Sequence, residues 1–335
     1  MFSADRMKPE QPSTAGTAHE TGAFGRAPVY SHAMATSVAA SQDRSLAGIG
    51  LMLTGIFVFA LNDALGKWLV ATYSVGQLLL IRSAAALVLL LPFLCREGLA
   101  PLKAAPRPML QHLCRPLFAT FEVACFYWAL ASMPLADVMT FYLAGPIYVT
   151  AMSPFLLGEH VGWRRWLAVI TGFVGVMIAL NPSGHALTSA AMIAIAGSFS
   201  FSLLMVCTRM VRGTPDLVLI TTQTVGALAF GLVVAPFTWR TLDVRDSALL
   251  ILLGVTAMGA HVCINRALKL APASVVVPYQ YSTIFWAILL GYVFFGDVPR
   301  PEMLAGAAII IAAGIYIFLR EKKVSGTVAM TDPPA

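Results

Sequence analysis

The sequence predicts an all-α polytopic membrane protein in which ten transmembrane helices form two inverted five-helix repeats. Composition indicates the class, because 58% of the 335 residues are hydrophobic and only 11% are charged, whereas soluble proteins carry about 25% charged residues. The mean hydropathy of +0.78 agrees with this class. Self-similarity along the chain indicates the repeat, and the distribution of lysine and arginine indicates its inversion.

A shift of the sequence by 138 positions aligns residues 125–180 with residues 263–318 without a gap. The matching pairs are Cys125 with Cys263, Ala129 with Ala267, Leu130 with Leu268, Pro134 with Pro272, Val138 with Val276, Gly158 with Gly296 and, in kind, Glu159 with Asp297. Each copy predicts an apolar helix, a turn with proline, an aromatic-rich helix, a turn with glycine and an acid, and a helix of small residues. The chain therefore contains a repeat of at least three helices.

Apolar segments long enough to cross about 30 Å of hydrocarbon as helices of about 20 residues follow one another along the chain. We place them near 46–70, 76–94, 110–131, 136–157, 164–181, 187–208, 217–237, 247–268, 273–295 and 302–320. The repeats then occupy 46–182 and 183–320. The segment 1–45 has no apolar run and is predicted to be disordered, and 321–335 is a short tail.

Lysine and arginine predict the orientation of these helices. With a cytoplasmic N-terminus, the inner loops and the tail hold thirteen basic residues, Arg115 among them, and the outer loops hold Arg240, Arg245 and Arg300. By the positive-inside rule both termini are cytoplasmic. Because each half has an odd number of helices, the second half enters the membrane from the opposite side, so the repeat is inverted.

The paired proline turns, the Gly158-Glu159 and Gly296-Asp297 turns, the five-plus-five helices and the run LNDALGKW at 61–68 resemble the EamA family of the drug/metabolite transporter superfamily. The resemblance covers about residues 46 to 320. It implies a carrier in the bacterial inner membrane whose cavity is lined mainly by the first, third, fourth, sixth, eighth and ninth helices. Members of the family move small organic solutes such as amino acids, riboflavin and S-adenosylmethionine.

Charged residues within the first two helices are candidates for function, because a charge at a helix centre costs about 2.5 to 3.5 kcal/mol on insertion scales. Asn62, Asp63 and Lys67 share one face of the first helix, and the four-residue spacing lets Asp63 and Lys67 neutralise each other. Arg82 lies near the same level in the second helix and completes a charge cluster with Asp63. An orienting ion pair and a gate or anion clamp both fit this pattern.

Glu122 lies about midway along the third helix, close to an aromatic run that includes Tyr127, and has no cationic residue three or four positions away. A carboxyl in apolar surroundings is more stable neutral than charged. The sequence therefore predicts either that Glu122 exchanges a proton during transport, or that it is a protonated acid hydrogen-bonded to a neighbouring helix.

The fourth and ninth helices carry aromatic runs with Tyr142, Tyr279 and Gln280, and both contain a proline, Pro146 and Pro278. Aromatic stripes often only pack. Broken helices at corresponding positions of two halves, however, indicate a binding site at the middle of the membrane. In the eighth helix, His261 and Asn265 lie four residues apart and share a face. The predicted solute contacts are Asn62, Tyr127, Tyr142, Tyr279, Gln280, His261 and Asn265, and the predicted coupling or gating residues are Glu122, Asp63, Lys67 and Arg82.

Other classes of function find little support in the sequence. The basic residues form no stripe for nucleic acid, and neither an HExxH motif, a P-loop nor a metal-spaced Cys/His cluster occurs, so we expect no enzymatic activity, cofactor or metal. The predicted partners are a small-molecule substrate and the lipid bilayer, and a homodimer is compatible with the sequence. The alternatives are a channel for small solutes and an intramembrane enzyme that uses Glu122 and His261.

Overall fold

The computed structural model describes residues 27–97, 109–158, 161–180, 188–211, 214–270 and 276–331. The helices are α1 (Ala27–Val70), α2 (Val75–Glu97), α3 (Met109–Leu130), α4a (Leu135–Leu143), α4b (Gly145–Leu156), α5 (Trp163–Leu180), α6 (Ser189–Met210), α7 (Asp216–Val234), α8 (Val244–Leu270), α9 (Thr283–Phe295) and α10 (Pro301–Thr331). Short 3-10 helices, Ala235–Thr238 and Val277–Ser282, follow α7 and precede α9.

Nine helices within the described residues are long and apolar enough to cross a membrane, which confirms the polytopic membrane class. In α1 the apolar span is Leu46–Val70, and α4a and α4b together form one span, Leu135–Leu156. For the ninth predicted segment, 273–295, the described part of the chain contains an apolar helix over Tyr279–Phe295, and 273–275 lie outside the described residues.

Both predicted helix interruptions are present, and each lies at a proline. Helix α4a ends at Leu143, the N–H of Ala144 donates to carbonyl oxygens of the last turn, and Pro146 lies in the first turn of α4b. Before α9, Pro278 opens the 3-10 segment. Proline has no N–H and fixes its own φ, so it is tolerated at a helix start and interrupts a helix elsewhere.

Several helix contacts have a counterpart five helices further on. Helix α3 packs on α6 as α1 packs on α8, where Gly55 brings α1 against Ile264. Likewise α2 packs on α8 as α7 packs on α3. The pairs α2 with α7, α4a with α9 and α5 with α10 each take one helix from each half. Both halves therefore contribute helices to one core.

The crossing of α5 and α10 depends on glycine. A Cβ placed on Gly306 would lie 2.5 Å from the carbonyl oxygen of Gly175, and a Cβ on Gly175 would lie 3.0 Å from the carbonyl oxygen of Gly306. Gly172 leaves room for Ile147 of α4b. The prediction that small residues make these two helices close-packing supports is confirmed.

The paired glycine turns also have equivalent backbones. Gly158 has φ 67° and Gly296 has φ 66°, in the left-handed region that residues with a Cβ rarely occupy. Gly296 ends α9 as a left-handed cap, and the N–H of Asp297 donates to the carbonyl of Gly291 at 3.1 Å. This cap directs the chain back over the end of α9. Glu159, the counterpart of Asp297, lies outside the described residues.

The predicted domain limits are only partly within the described residues. Helix α1 begins at Ala27, inside the segment 1–45 for which we predicted disorder, while 1–26 lies outside the described part of the chain. The chain divides into compact units 1–44 and 45–335, and the membrane spans belong to the second. The predicted boundary at 182/183 also lies outside, and α10 continues to Thr331, beyond the predicted end at 320.

Candidate functional site

Three charged side chains from α1, α2 and α3 come together inside the bundle. Asp63 lies on the same face of α1 as Ile56, and Glu122 lies on the same face of α3 as Ala129; both apolar residues are buried. Residues seven apart on a helix point in nearly the same direction, so both carboxyl groups face the interior. Arg82 interacts electrostatically with both of them. The predicted cluster of Asp63 and Arg82 is therefore present, with Glu122 as a third member.

The side chain of Tyr127 contacts the guanidinium of Arg82 in two ways. Arg82 Nη1 donates to Tyr127 Oη at 2.7 Å, and the guanidinium lies 5.4 Å from the centre of the tyrosine ring. The ring is only 1% exposed because it packs on Gly66, where no Cβ would fit. Tyr127, predicted as a solute contact, is thus a positioning residue for Arg82 in this conformation.

The two carboxyl groups of Asp63 and Glu122 have no hydrogen-bond or ion-pair partner among the residues that the structure describes, and they interact electrostatically with each other. If both are ionised, the cluster of two acids and Arg82 has a net charge of −1. An uncompensated charge within a membrane protein is strongly unfavourable. The cluster is therefore electrically neutral only when it takes up a proton or a cationic group.

Aromatic residues of α3 and α4a form one wall beside Glu122. Tyr142 Oη donates to the backbone carbonyl of Glu122 at 3.1 Å, and the Tyr142 ring stands edge-on to Phe126 at 5.2 Å. Gly197 of α6 leaves the space that the tyrosine hydroxyl occupies. The hydroxyl of Tyr142, which the sequence predicted as a solute contact, thus binds the backbone of Glu122 in this conformation.

His261 of α8 opens onto a space within the bundle. It is exposed although Ala257 and Gly254, one and two turns earlier on the same helix face, are buried. Its exposure is therefore to the interior and not to the outside of the bundle. Phe59 of α1 stands edge-on to the imidazole at 4.8 Å, and the half-buried Asn265 follows one turn further along α8.

The remaining solute contacts that were predicted in the first and ninth helices are Asn62, Tyr279 and Gln280. Asn62 is 2% exposed, and its amide nitrogen donates to the carbonyl of Leu253 at 2.6 Å and to Thr256 Oγ1 at 2.8 Å, so it joins α1 to α8. Tyr279 and Gln280 lie exposed before α9. Within the described residues, neither side chain is hydrogen-bonded to the charged cluster.

The prediction that Asp63 and Lys67 neutralise each other is wrong. Lys67 Nζ pairs with Asp297 Oδ2, and its ammonium lies 4.6 Å from the centre of the Phe295 ring. The reason is that Lys67 lies in the last turn of α1 and extends away from the interior, while Asp297 follows the left-handed cap at Gly296 and lies within reach. Lys67 therefore joins α1 to the end of α9 and leaves Asp63 without this partner.

A second ion pair lies beside it. Arg300 Nη2 contacts Asp137 Oδ2 at 2.9 Å, and Asp137 interacts electrostatically with Lys67 and Asp297. We call these four residues the Lys67 cluster. They join α1, the start of α4a, the end of α9 and the start of α10. Sequence reasoning missed this cluster, although the predicted topology places all four residues at the same end of the bundle.

A family model described as the EamA-like transporter family matches residues 46–181 and 188–320. The chain belongs to the EamA-like transporter family. Each match covers one five-helix half, so the same family unit occurs twice in this multi-pass membrane protein.

Named relatives of this EamA-like chain resemble it over most of both lengths. An S-adenosylmethionine uptake transporter of Rickettsia bellii is 26% identical, covering 82% of this chain and 94% of the relative. A riboflavin transporter of Vibrio cholerae is 29% identical, with 84% and 95% covered. A pseudopaline exporter of Pseudomonas aeruginosa is 26% identical, with 82% and 97% covered. One solved structure, described only as the crystal structure of a protein, is 18% identical with a TM-score of 0.52, covering 81% and 94%; it shows the fold alone.

The sequence-based prediction placed one arginine of the EamA-like fold in a loop, whereas it is buried in a helix. Arg115 was counted with the inner loops, but it lies inside α3 and is 7% exposed. Its guanidinium donates to Thr208 Oγ1 at 3.0 Å, to the carbonyl of Leu219 at 2.8 Å and to Gln223 Oε1 at 3.4 Å. It therefore fastens α3 to α6 and α7, and one residue must be removed from the count of loop charges.

The two ends of the EamA-like bundle differ in how well they cover the charged cluster. Towards the Lys67 end, Asp63 is 9% exposed, Tyr127 packs on Gly66, and the two ion pairs join helices of both halves. Away from that end, His261 is exposed to the interior. The structure thus has the central cluster closed off at the Lys67 end.

Proposed function

We propose that this chain is a secondary transporter that moves cationic or zwitterionic organic solutes across a bacterial inner membrane by alternating access, with Glu122 as the proton-coupling group. The observation that carries this proposal is the uncompensated pair of carboxyl groups, Asp63 and Glu122, which share the cation Arg82 inside the bundle. Such a cluster binds one positive charge at a time, and a proton and a cationic solute then compete for it.

The chemistry of the cluster favours a solute with three features. A cationic group satisfies the carboxyl groups, a carboxylate accepts from the guanidinium N–H groups of Arg82 that Tyr127 does not use, and a flat or apolar part packs against Tyr142, Phe126 and His261. S-adenosylmethionine, named for one relative, has a sulfonium cation and an amino acid group, and riboflavin, named for another, has a flat ring system. S-adenosylmethionine therefore has all three features, whereas riboflavin, which is uncharged at neutral pH, has only the flat part.

Alternating access fits the closure at one end. An open pore would not keep two ion pairs across the Lys67 end, so the geometry favours a carrier over a channel. Relatives named for uptake and for export favour solute movement over catalysis. The basic residues of the loops favour a periplasmic position for the Lys67 end, so this conformation is closed to the periplasm and accessible from the cytoplasm.

Coupling is tested with the purified protein in liposomes, with S-adenosylmethionine and riboflavin as labelled probes. Glu122→Gln keeps the hydrogen-bonding shape but cannot ionise. We expect exchange at equal pH to continue and accumulation driven by a pH gradient to disappear. Asp216→Asn, which changes an exposed acid whose side chain is 61% accessible, is the matched control and should accumulate solute as the wild type does.

Two outcomes contradict the proposal. If Glu122→Gln still accumulates solute when only a pH difference is supplied, Glu122 does not carry the proton. If neither probe nor a panel of amino acids is exchanged by the wild type, the proposed solute class is wrong.

Orientation is tested separately with reporter fusions. A reporter after Leu180 should be active in the periplasm, and one after Arg320 should be active in the cytoplasm. Activity of both on the same side would contradict the inverted arrangement, whatever the solute.

A further inference from the structure

An apolar groove of about 510 Å³ lies on the side of the bundle between α1, α8 and α9. It is separate from the charged cluster. Its lining is apolar except at one position: Leu61, Ala64, Leu65, Trp68, Leu249, Phe294, Phe295 and Arg245. The volume is in the range of cavities that hold small organic ligands, about 300–1,000 Å³. The groove therefore has room for part of an elongated apolar ligand.

The single charge of the groove is at the level of the membrane surface. Arg245 is in the first turn of α8, and its guanidinium lies 5.5 Å from the centre of the Trp68 ring near the end of α1. Tryptophan prefers the boundary between headgroups and hydrocarbon. From Trp68 the groove follows α1 to Leu61, seven residues deeper, which corresponds to about 10 Å along the helix. The cationic end is thus at the surface, and the apolar part extends into the membrane.

Arg245 forms no ion pair with a carboxylate among the described residues, and three acids at this end of the bundle contact other groups. Asp246 accepts from Tyr73 Oη at 2.6 Å, Asp243 accepts from the N–H of Val244 at 2.8 Å, and Asp297 pairs with Lys67. The positive charge at the head of the groove is therefore available to an anion that comes from outside the chain.

From this polarity we propose that the groove binds one anionic phospholipid, with its phosphate at Arg245 and an acyl chain along Leu65 and Leu61. The charge favours an anionic headgroup, since a basic residue near the surface contributes about 1 kcal/mol of attraction to anionic lipid. The apolar lining favours an acyl chain over a free phosphate. The depth order of the two parts matches the order of headgroup and chain in a bilayer leaflet.

The groove shares a wall with the Lys67 cluster. Phe295 lines the groove, and the ammonium of Lys67 lies over its ring. A bound acyl chain packs against Phe295 from the other side and holds α9 against α1. The lipid therefore stabilises the conformation that is closed at the Lys67 end.

The test uses quenching of Trp68 fluorescence by brominated lipids in nanodiscs that contain the full chain. The contribution of Trp68 is the difference between the wild type and Trp68→Phe, which keeps an aromatic ring under Arg245. This difference is needed because a second groove, at Trp163 and Tyr316, also has an arginine over a tryptophan. At equal mole fraction, we expect brominated phosphatidylglycerol to quench Trp68 about fivefold more effectively than brominated phosphatidylcholine.

Two arginine variants and one groove variant distinguish the occupants. Arg245→Gln should remove the preference, while Arg240→Gln, an equal loss of charge at an exposed residue outside the groove, should keep it. If Arg245→Gln does not fold, Leu65→Phe narrows the groove without changing the charge and should reduce quenching by both lipids.

Other results would overturn the proposal. Equal quenching by the two lipids would indicate ordinary contact with the bilayer. An equal loss in Arg240→Gln would indicate a general surface potential. Relief of quenching by S-adenosylmethionine or riboflavin would indicate a lateral entrance for solute.

Discussion

The ion pair between Lys67 and Asp297 should control how often the Lys67 end is closed. Lys67→Met removes the charge and keeps the length of the side chain. It eliminates both the ion pair and the contact of the ammonium with the Phe295 ring, whereas Asp297→Asn eliminates only the first. We therefore expect both variants to shift the equilibrium towards an open Lys67 end, and Lys67→Met to shift it further.

The magnitude follows from the exposure of the two side chains, 13% and 22%. Exposed ion pairs contribute about 0–1 kcal/mol, and breaking a fully buried pair costs about 3–5 kcal/mol. A pair that is mostly but not fully buried lies between these limits, so we expect about 1.5 kcal/mol for Asp297→Asn. Since about 1.4 kcal/mol changes an equilibrium tenfold, the ratio of closed to open conformations should fall about tenfold.

The assay measures distances between spin labels on either side of the closed end. Thr72, in the turn after α1, and Val298, in the turn after α9, are both exposed. Cysteines at these positions, in a protein whose five native cysteines are replaced, should show mainly the shorter distance in the wild type. Lys67→Met and Asp297→Asn should add a longer one.

A matched control is the pair Lys269–Asp216, which has its charged atoms 3.7 Å apart and side chains 73% and 61% exposed. Lys269→Met should leave the distances unchanged. If Lys67→Met has no larger effect than Lys269→Met, or if the double variant Lys67→Met/Asp297→Asn shifts the equilibrium by the sum of the single shifts, the ion pair does not hold this end closed.

Three further predictions concern stability. Gly306→Ala should lower the free energy of unfolding by about 1–3 kcal/mol, because its Cβ overlaps the backbone of α5, whereas Gly259→Ala, with open space around it, should be neutral or stabilising in thermal unfolding. Arg115→Met should cost about 1–3 kcal/mol, since it leaves buried acceptors unpaired; a loss no greater than that of Lys269→Met would contradict the role of Arg115. The hydrogen bond to Asp246 raises the pKa of Tyr73. The contribution of this hydrogen bond to the free energy of unfolding is therefore present below about pH 10 and is lost as the pH rises further. Denaturant titrations at pH 8 and above pH 10 should show that the free energy of unfolding falls less with pH in Tyr73→Phe than in the wild type.

Sequence reasoning predicted the features that depend on local pattern. Apolar length gave the membrane spans, the prolines gave the breaks at Pro146 and Pro278, and the Gly-acid motif gave two turns with the same left-handed backbone. These features need only the properties of residues within one or two turns of each other, so they can be inferred without knowing which helices are neighbours.

Ion pairs were predicted less well because they depend on helix rotation and on contacts between the halves. The four-residue spacing of Asp63 and Lys67 suggested a pair, but the partner of Lys67 lies 230 residues away. Arg115 looked like a loop charge because it precedes the most apolar part of α3, and its acceptors come from α6 and α7. The position of Glu122 in the interior was predictable from its place on the helix face. The proximity of Arg82 to Glu122 was not predictable, because it depends on how α2 packs beside α3.

The contact between Gly175 and Gly306 has a consequence for the way two halves of such a bundle move. At this crossing the two backbones approach each other directly, and the side chains of Ala179, Ile309 and Ile310 pack around the contact. Because the glycines themselves have no side chains to interlock, a small change in crossing angle disturbs little packing at this point. The α5–α10 contact is also its own counterpart under exchange of the halves, so it stays equivalent for both when they rock. We therefore expect this contact to act as a fulcrum, with the distant ends of the other helices moving further than the helices at the contact.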